Sequence, residues 1–377
     1  MFCTLRAVIL FSATLSVASL SAFPQVAQQT AADSLFAGGH YLRAEIAAKK
    51  DLQQDPNNVH YLVRASAVEW AFDRQDSSIA LAQKAVILNG NSAEAQAQLT
   101  NALGAKLAIS TVGMMEKVGL ARRFKQASER ALQLNPNNPD TLEDVAQFCW
   151  NAPGFAGGDR SKAHQYADRL FAVDPARGAA LKSYFIAAEI KDVPRRLTAT
   201  EGVWRVAAAA RPASYEVHIG LAESLLAESA AGYDPATHYA QAEAEAKSAL
   251  ALSVTRIPAY RTLAVIYASL HRWNDLDVLL KRSAAAVPDN LAPAYQAARI
   301  LLTQGDPAQM PRAAEYLRIY IAQPTEGQEP TSAAAHWSLA LVLEKQNRRP
   351  DAIHELQLAV SLDPAFDPAR RELKRLS

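Results

Sequence analysis

Side chains able to ligate a metal or attack a substrate are present but scattered. The eight histidines, His40, His60, His164, His218, His238, His271, His336 and His354, never stand three or four residues apart, so no helical face offers a metal pair. His-Glu-x-x-His, Cys-x-x-Cys and Gly-x-Ser-x-Gly, which would supply a zinc-bound water, a redox dithiol or an activated serine, do not occur. The segment 151–163, NAPGFAGGDRSKA, gathers Pro153, Gly154, Gly157 and Gly158. A phosphate-cradling loop needs Gly-x4-Gly-Lys-Ser/Thr, whereas Asp159 and Arg160 follow Gly158. These glycines interrupt a helix, and Asp159 stands where it caps the next one. Acidic residues are plentiful, but their spacing is that of solvated helix faces. Lys plus Arg is 39 against 38 for Asp plus Glu, so no field of one sign exists to hold nucleic acid or an anionic membrane. No catalytic, metal or cofactor-binding residue is expected, and binding is the class of work that remains.

What positions the side chains is a repeat. In 333–366 small or apolar residues fall at Leu339, Ala340 and Leu343, then at Ala352, Leu356 and Ala359, and Pro364 closes the unit. This is the spacing of two amphipathic helices separated by a polar turn. The segment 257–290 repeats it with Tyr260, Leu263, Ala264 and Tyr267, then Leu276, Leu280, Ser283 and Pro288. The units fall at 25–58, 59–92, 93–138, 139–177, 181–214, 215–256, 257–290, 291–327 and 333–366. Inserts in units three, four, six and eight, with spacers at 178–180 and 328–332, account for the surplus over nine units of equal length. The place where paired helices must cross closely carries Ala32, Ser66, Thr100, Ala146, Ala188, Ala222, Ala264, Ala298 and Ala340, all small. Closing prolines stand at Pro56, Pro136, Pro175, Pro212, Pro288 and Pro364. The tail 367–377 reads as a basic capping helix that shields the last apolar face.

These features resemble the tetratricopeptide repeat, whose pattern of Trp-x2-Leu-Gly-x2-Tyr, Ala-x3-Phe and a closing Pro is spread over almost the whole chain. The resemblance implies an all-α, right-handed superhelical solenoid of about nine helix pairs, with function in side chains of its concave groove. It further implies that positions 2, 5, 9 and 12 of each first helix face the groove. Position 5 reads Gln29, Val63, Ala97, Glu143, Phe185, Ile219, Arg261, Tyr295 and Trp337. Arg261, Tyr295 and Trp337, with Arg299 at position 9 of unit eight, make a set of two guanidinium groups and two large rings. That set suits an extended peptide or chain terminus. The alternative is that Tyr295 and Trp337 pack between units while the arginines are solvated. Trp70 and Trp150, both at position 12, with Glu143 nearby, form a second candidate; tryptophans there more often seal adjoining helices. Met114 and Met115, in the unit-three insert, are expected near a surface.

Residues 1–6 carry one charge, Arg6, and residues 7–20, AVILFSATLSVASL, are uncharged and apolar before small residues around Ala22. This is the order of a secretory signal peptide, 1–22. An uncleaved anchor in the inner membrane is the alternative. Cleavage removes Cys3 and leaves Cys149 as the single thiol, expected to be buried beside Phe148 and Trp150. The expected function is a periplasmic or secreted, non-catalytic scaffold that binds protein partners, with self-association a further route. A peptide or saccharide receptor and an envelope enzyme are the rivals.

Overall fold

The computed structural model describes residues 29–377 apart from 110, 231, 233, 234 and 328, so the signal-peptide segment and Cys3 lie outside the described residues. Each expected pair is present as two α-helices: α1 (Ala31–Ala37) with α2 (Tyr41–Gln54), α3 (Val59–Ala71) with α4 (Gln75–Leu88), and α5 (Ala93–Ala108) with α6 (Met114–Leu134). The array continues with α7 (Pro139–Asn151) and α8 (Arg160–Val173), α9 (Pro175–Glu189) and α10 (Val193–Ala210), and α11 (Tyr215–Ala230) and α12 (Pro235–Leu252). Last come α13 (Ile257–Ser269) and α14 (Trp273–Ala286), α15 (Ala292–Gln304) and α16 (Met310–Ile321), α17 (Ser332–Lys345) and α18 (Arg349–Leu362), and the capping helix α19 (Asp367–Leu376). Odd-numbered helices touch the next odd-numbered helix and form the inner layer; even-numbered ones form the outer layer.

Local chemistry sets the period. Between units, Asp55, Asn89, Asn135 and Asp363 each fold their side-chain oxygen onto the amide two residues on. Asn58, Ser92 and Asn138 then accept from the third residue of the next inner helix, satisfying an amide its helix cannot. Within units, the turn into the outer helix passes through one left-handed residue: Gly39, Asp73, His271, Gly305 or Asn347, with φ between 57° and 79°. At the helix crossings Ala32, Ser66, Thr100, Ala146, Ala222, Ala264, Ala298 and Ala340 are all buried.

Unit five departs from the expected register. Ala188 is exposed near the end of α9, and the expected spacer 178–180 lies inside that helix. Pro175 does not close unit four; it opens α9, since Asp174 both ends α8 and accepts from the Arg177 amide at 3.1 Å. The corner this makes is so tight that a Cβ on Gly178 would lie 2.2 Å from the Phe171 Cα. The insert in unit three lengthens the connection to 109–113, against 72–74 in unit two, and gives α6 extra N-terminal turns; Met114 and Met115 are exposed there, as expected. In unit four, Asp159 caps α8 through the Lys162 amide at 3.0 Å, as its position suggested. The insert in unit six falls partly outside the described residues.

The core is one continuous cluster from unit five to the cap, a second through units three and four, and small alanine-rich clusters under units one and two. No helix of the described residues is long and apolar enough to cross a membrane.

Candidate functional site

The inner helices pack side by side so closely that position 5 is mostly covered. Val63, Ala97, Phe185, Ile219 and Tyr295 are all buried there. Tyr295 is only 4% exposed; its hydroxyl meets the Ser338 hydroxyl at 3.2 Å and its ring lies 5.1 Å from Tyr320. The expected groove ring is therefore inter-unit packing. Phe185 stacks on Trp150 at 4.1 Å, with His164 and Tyr184 on its edges and the Arg160 guanidinium 4.7 Å from the Trp150 ring. Trp150 thus seals units four and five. Trp70 is half-buried at the end of α3.

Position 9 is open along part of the array: Gln147, Glu223 and Arg299 are exposed and Asn101 is half-buried, whereas Asp33 and Ala67 are buried. Glu223 reaches solvent, yet burial raises its carboxyl above the usual range and Arg261 offsets part of that rise. A side chain both open and surrounded lies on a concave wall. Gln147 and Glu223 were not singled out by sequence; the signal was the same position that pointed to Arg299.

Most groove charges are already engaged by the neighbouring unit. Arg177 donates to Glu143 at 2.8 Å and to Asp140 at 2.6 Å, clasping unit five to unit four, so Glu143 is a structural carboxylate. His60 bridges Asp33 at 2.8 Å and Glu94 at 3.0 Å, while Arg64 donates to Asp33 at 2.6 Å. Arg256 pairs with Glu216 at 2.6 Å. Asp144 is the outlier: burial and the nearby Glu143 and Asp140 push its carboxyl well above the usual range, Oδ2 has no protein partner, and Asn101 approaches Oδ1 at 3.4 Å. Neither cleft described below reaches it, so it belongs to a helix contact and not to a ligand site.

Three donors stand apart. Arg299 is exposed and its guanidinium has no partner among the described residues. Arg261 reaches only Glu329, at 3.4 Å. The Trp337 indole N–H is buried without an acceptor while its ring lies edge-on to Phe366 at 5.9 Å. They stand on α15, α13 and α17, the inner helices of units seven to nine.

Two further clefts lie elsewhere. One of about 670 Å³ opens between α14, α15 and α16, lined by apolar Leu280, Leu291 and Ile319 and by Lys281, Arg312, Asp277 and Glu315. Arg312 and Tyr316 both donate to Asp277, at 2.8 and 2.6 Å, so its cations and anions balance and select no ligand charge. The other lies under the unit-four insert beside Cys149, whose thiol burial pushes up.

The array also closes on itself, which the repeat pattern did not reveal. His40, in the α1–α2 turn, meets Asp289 of the α14–α15 turn at 2.9 Å, and Arg43 meets the same oxygen at 3.0 Å. The Leu42 amide donates to Glu326 at 2.9 Å. Glu326 belongs to the connection 322–331 between α16 and α17, where the sequence showed only surplus residues.

No sequence-family profile matches the chain, and no curated protein is similar to it in sequence. Among solved structures, the human IFIT1 dimer with PPP-AAAA is similar at a TM-score of 0.50 and 13% identity, over 92% of this chain and 80% of that one. Yeast Tom70 is similar at 0.47 and 15%, over 92% and 79%, and MamA at 0.29 and 20%, over 54% and 98%. Such identities speak for fold alone, and the likeness to the IFIT1 structure agrees with the stacked pairs and the absence of strands among the described residues. The chain is an all-α superhelical solenoid of the tetratricopeptide-repeat type.

Proposed function

We propose that this protein is a non-catalytic scaffold or adaptor of the bacterial cell envelope, exported by residues 1–22, that grips an extended acidic segment of a protein partner along units seven to nine. The observation that carries this reading is the set of unmatched donors on inner helices α13, α15 and α17. Most other groove carboxylates and guanidinium groups neutralise one another, whereas Arg299 and the Trp337 indole lack acceptors and Arg261 is in reach only of Glu329 and the field of Glu223. A partner carboxylate forks onto guanidinium, and a backbone carbonyl suits an indole N–H. The Trp337 N–H, the one buried donor of the three, costs free energy while it is unpaired.

The near-neutral balance of the whole chain argues against a nucleic-acid ligand, which would need many unpaired cations. Nor is a metal or cofactor part of the reading. Crosslinking in the native host followed by mass spectrometry identifies the partner. A folded Arg261→Glu/Arg299→Glu variant is expected to lose it, along with binding of the partner's acidic segment as a synthetic peptide. Equal recovery by the variant, or saturable binding of a 5′-triphosphorylated RNA by the wild type instead, would sink the proposal.

A further inference from the structure

The contact between the first unit and units seven and eight joins residues up to 284 positions apart. On one side stand His40, Tyr41, Leu42 and Arg43. On the other stand Asp289 and the strap 322–331. Gly327 of the strap sits under Tyr41 with φ +54°, and a Cβ there would come 2.4 Å from the Tyr41 ring. The strap is itself held by the Tyr320 hydroxyl donating to the Pro330 carbonyl at 2.8 Å and by Glu329 reaching Arg261 on the inner face.

This junction is formed but poorly satisfied. Glu326 is 1% exposed, and its Oε2 has no protein partner. Asp289 Oδ1 and both polar ends of the Gln323 side chain are buried in the same state. Four of the nine such atoms among the described residues therefore gather in the strap and the turn beside it. Half-satisfied polar contacts weaken an interface, because each orphan loses its water without gaining a partner. A seam needed only for rigidity would not concentrate them.

We propose that this seam is a latch: the first unit and the strap 322–331 close the array into a ring, and opening between them admits a partner chain sideways onto the inner face. A closed ring admits only a chain end threaded along it; an open one takes an internal segment. The proposal rests on the groove reading only for what opening admits; the latch itself is a property of the fold.

The seam carries its own trigger. Burial raises the Glu326 carboxyl to about 7, with Asp289 adding to the rise and the Leu42 and Tyr41 amides and Arg43 opposing it. Tyr41 also faces it, its phenol raised by burial and by Glu326 and Glu329 against the opposing charge of Arg256, and His40 on Asp289 and Arg261 on Glu329 complete the charged groups of the seam. Since the folded value lies above the ordinary 4.5, the closed seam disfavours charged Glu326. Closure is strongest in acid and weakens as pH rises from about 4.5 to about 7.

The Leu42 amide reports the latch directly, because its N–H is the donor to Glu326. Hydrogen exchange at Leu42, corrected for the intrinsic rate, is expected to lose protection on the order of 50-fold between pH 5 and pH 8, the ratio set by a carboxyl titrating near 7 closed and 4.5 open. Amides of α7 in the middle of the array should not follow. Glu326→Gln, which keeps the acceptor and removes the charge, is expected to flatten the profile and to slow partner capture at pH 8. Equal Leu42 protection at both pH values in the wild type, which needs no variant to fold, overturns the latch. Arg299→Glu separates the two readings: it should abolish capture while leaving the Leu42 profile intact, and intact capture would count against the groove and not the seam.

Discussion

Replacing His60 tests whether ion pairs between units, and not helix propensity, hold the N-terminal end. His60 stands on α3 with Nε2 against Asp33 of α1 and Nδ1 against Glu94 of α5, so one ring staples three inner helices. Both nitrogens face carboxylates, which favours the doubly protonated imidazolium. Hydrogen bonding to Glu94 raises the ring to about 9, burial opposes this, and Asp33 adds to the rise. Against an ordinary 6.5, that shift of about 2.5 units corresponds to about 3 kcal/mol. Glu94 is half open to water, whose screening trims the figure to about 2 kcal/mol. Because the folded value is raised, the contribution is complete below pH 6.5 and fades as pH passes 9. Asp33 sets the acid limit: burial raises its carboxyl, but the Thr30 amide, His60 and Arg64 outweigh burial and hold it at about 2, so its share is lost only as pH falls from 3.8 toward that value. Guanidinium unfolding of wild type and His60→Gln, with unit-resolved hydrogen exchange, should show a gap of about 2 kcal/mol at pH 6, confined to α1–α5, shrinking to near zero at pH 9.5. A gap of the same size at both pH values would refute the reasoning.

Gly178→Ala should cost about 3 kcal/mol or more, since its Cβ would meet Phe171 backbone that cannot rotate away, and the α8–α9 corner must shift. Gly202→Ala, within α10 with nothing within 4 Å, should instead raise the denaturant midpoint slightly; equal effects would contradict the packing argument. Trp150→Ala removes the plate stacked on Phe185, with an expected loss of about 3–5 kcal/mol. In a Cys3→Ser background the same change should make the buried Cys149 thiol reactive toward a thiol reagent, and a thiol that stays protected would show that other groups shield it.

The pairing of helices was legible because each unit carries the same signals: an Asx turn, a cap and a small residue at the crossing. Ala264, Ala298 and Ala340 could be placed without a structure for that reason. The register failed at unit five because Pro175 is compatible with two local meanings, the end of one unit or the first turn of the next. Asp174 decides between them by capping forward, which depends on how α8 packs. The groove set failed in part for a similar cause. Tyr295 and Arg261 occupy the same position of successive units, but which side of an inner helix is open depends on how tightly that helix lies against its neighbours. Arg299, at position 9, falls where the array is open; Tyr295, at position 5, does not.

Closure was illegible for a deeper reason: a repeat pattern encodes contacts between neighbours, and the seam joins units far apart in the array. An open array has stability that is a sum of units and nearest-neighbour interfaces. The seam adds a term between unit one and units seven and eight, so the first unit is not a free end. Yet it is the weakest unit by content. Helix α1 has seven residues, too few to persist alone, and the core beneath it is largely alanine. Thr30 and Asp33 cap it reciprocally, and His60 and Arg64 tie it to α3. Local opening draws on regions with few buried apolar contacts. Unit one, short in α1 and alanine-rich beneath it, is thus the side of the seam on which local opening costs least.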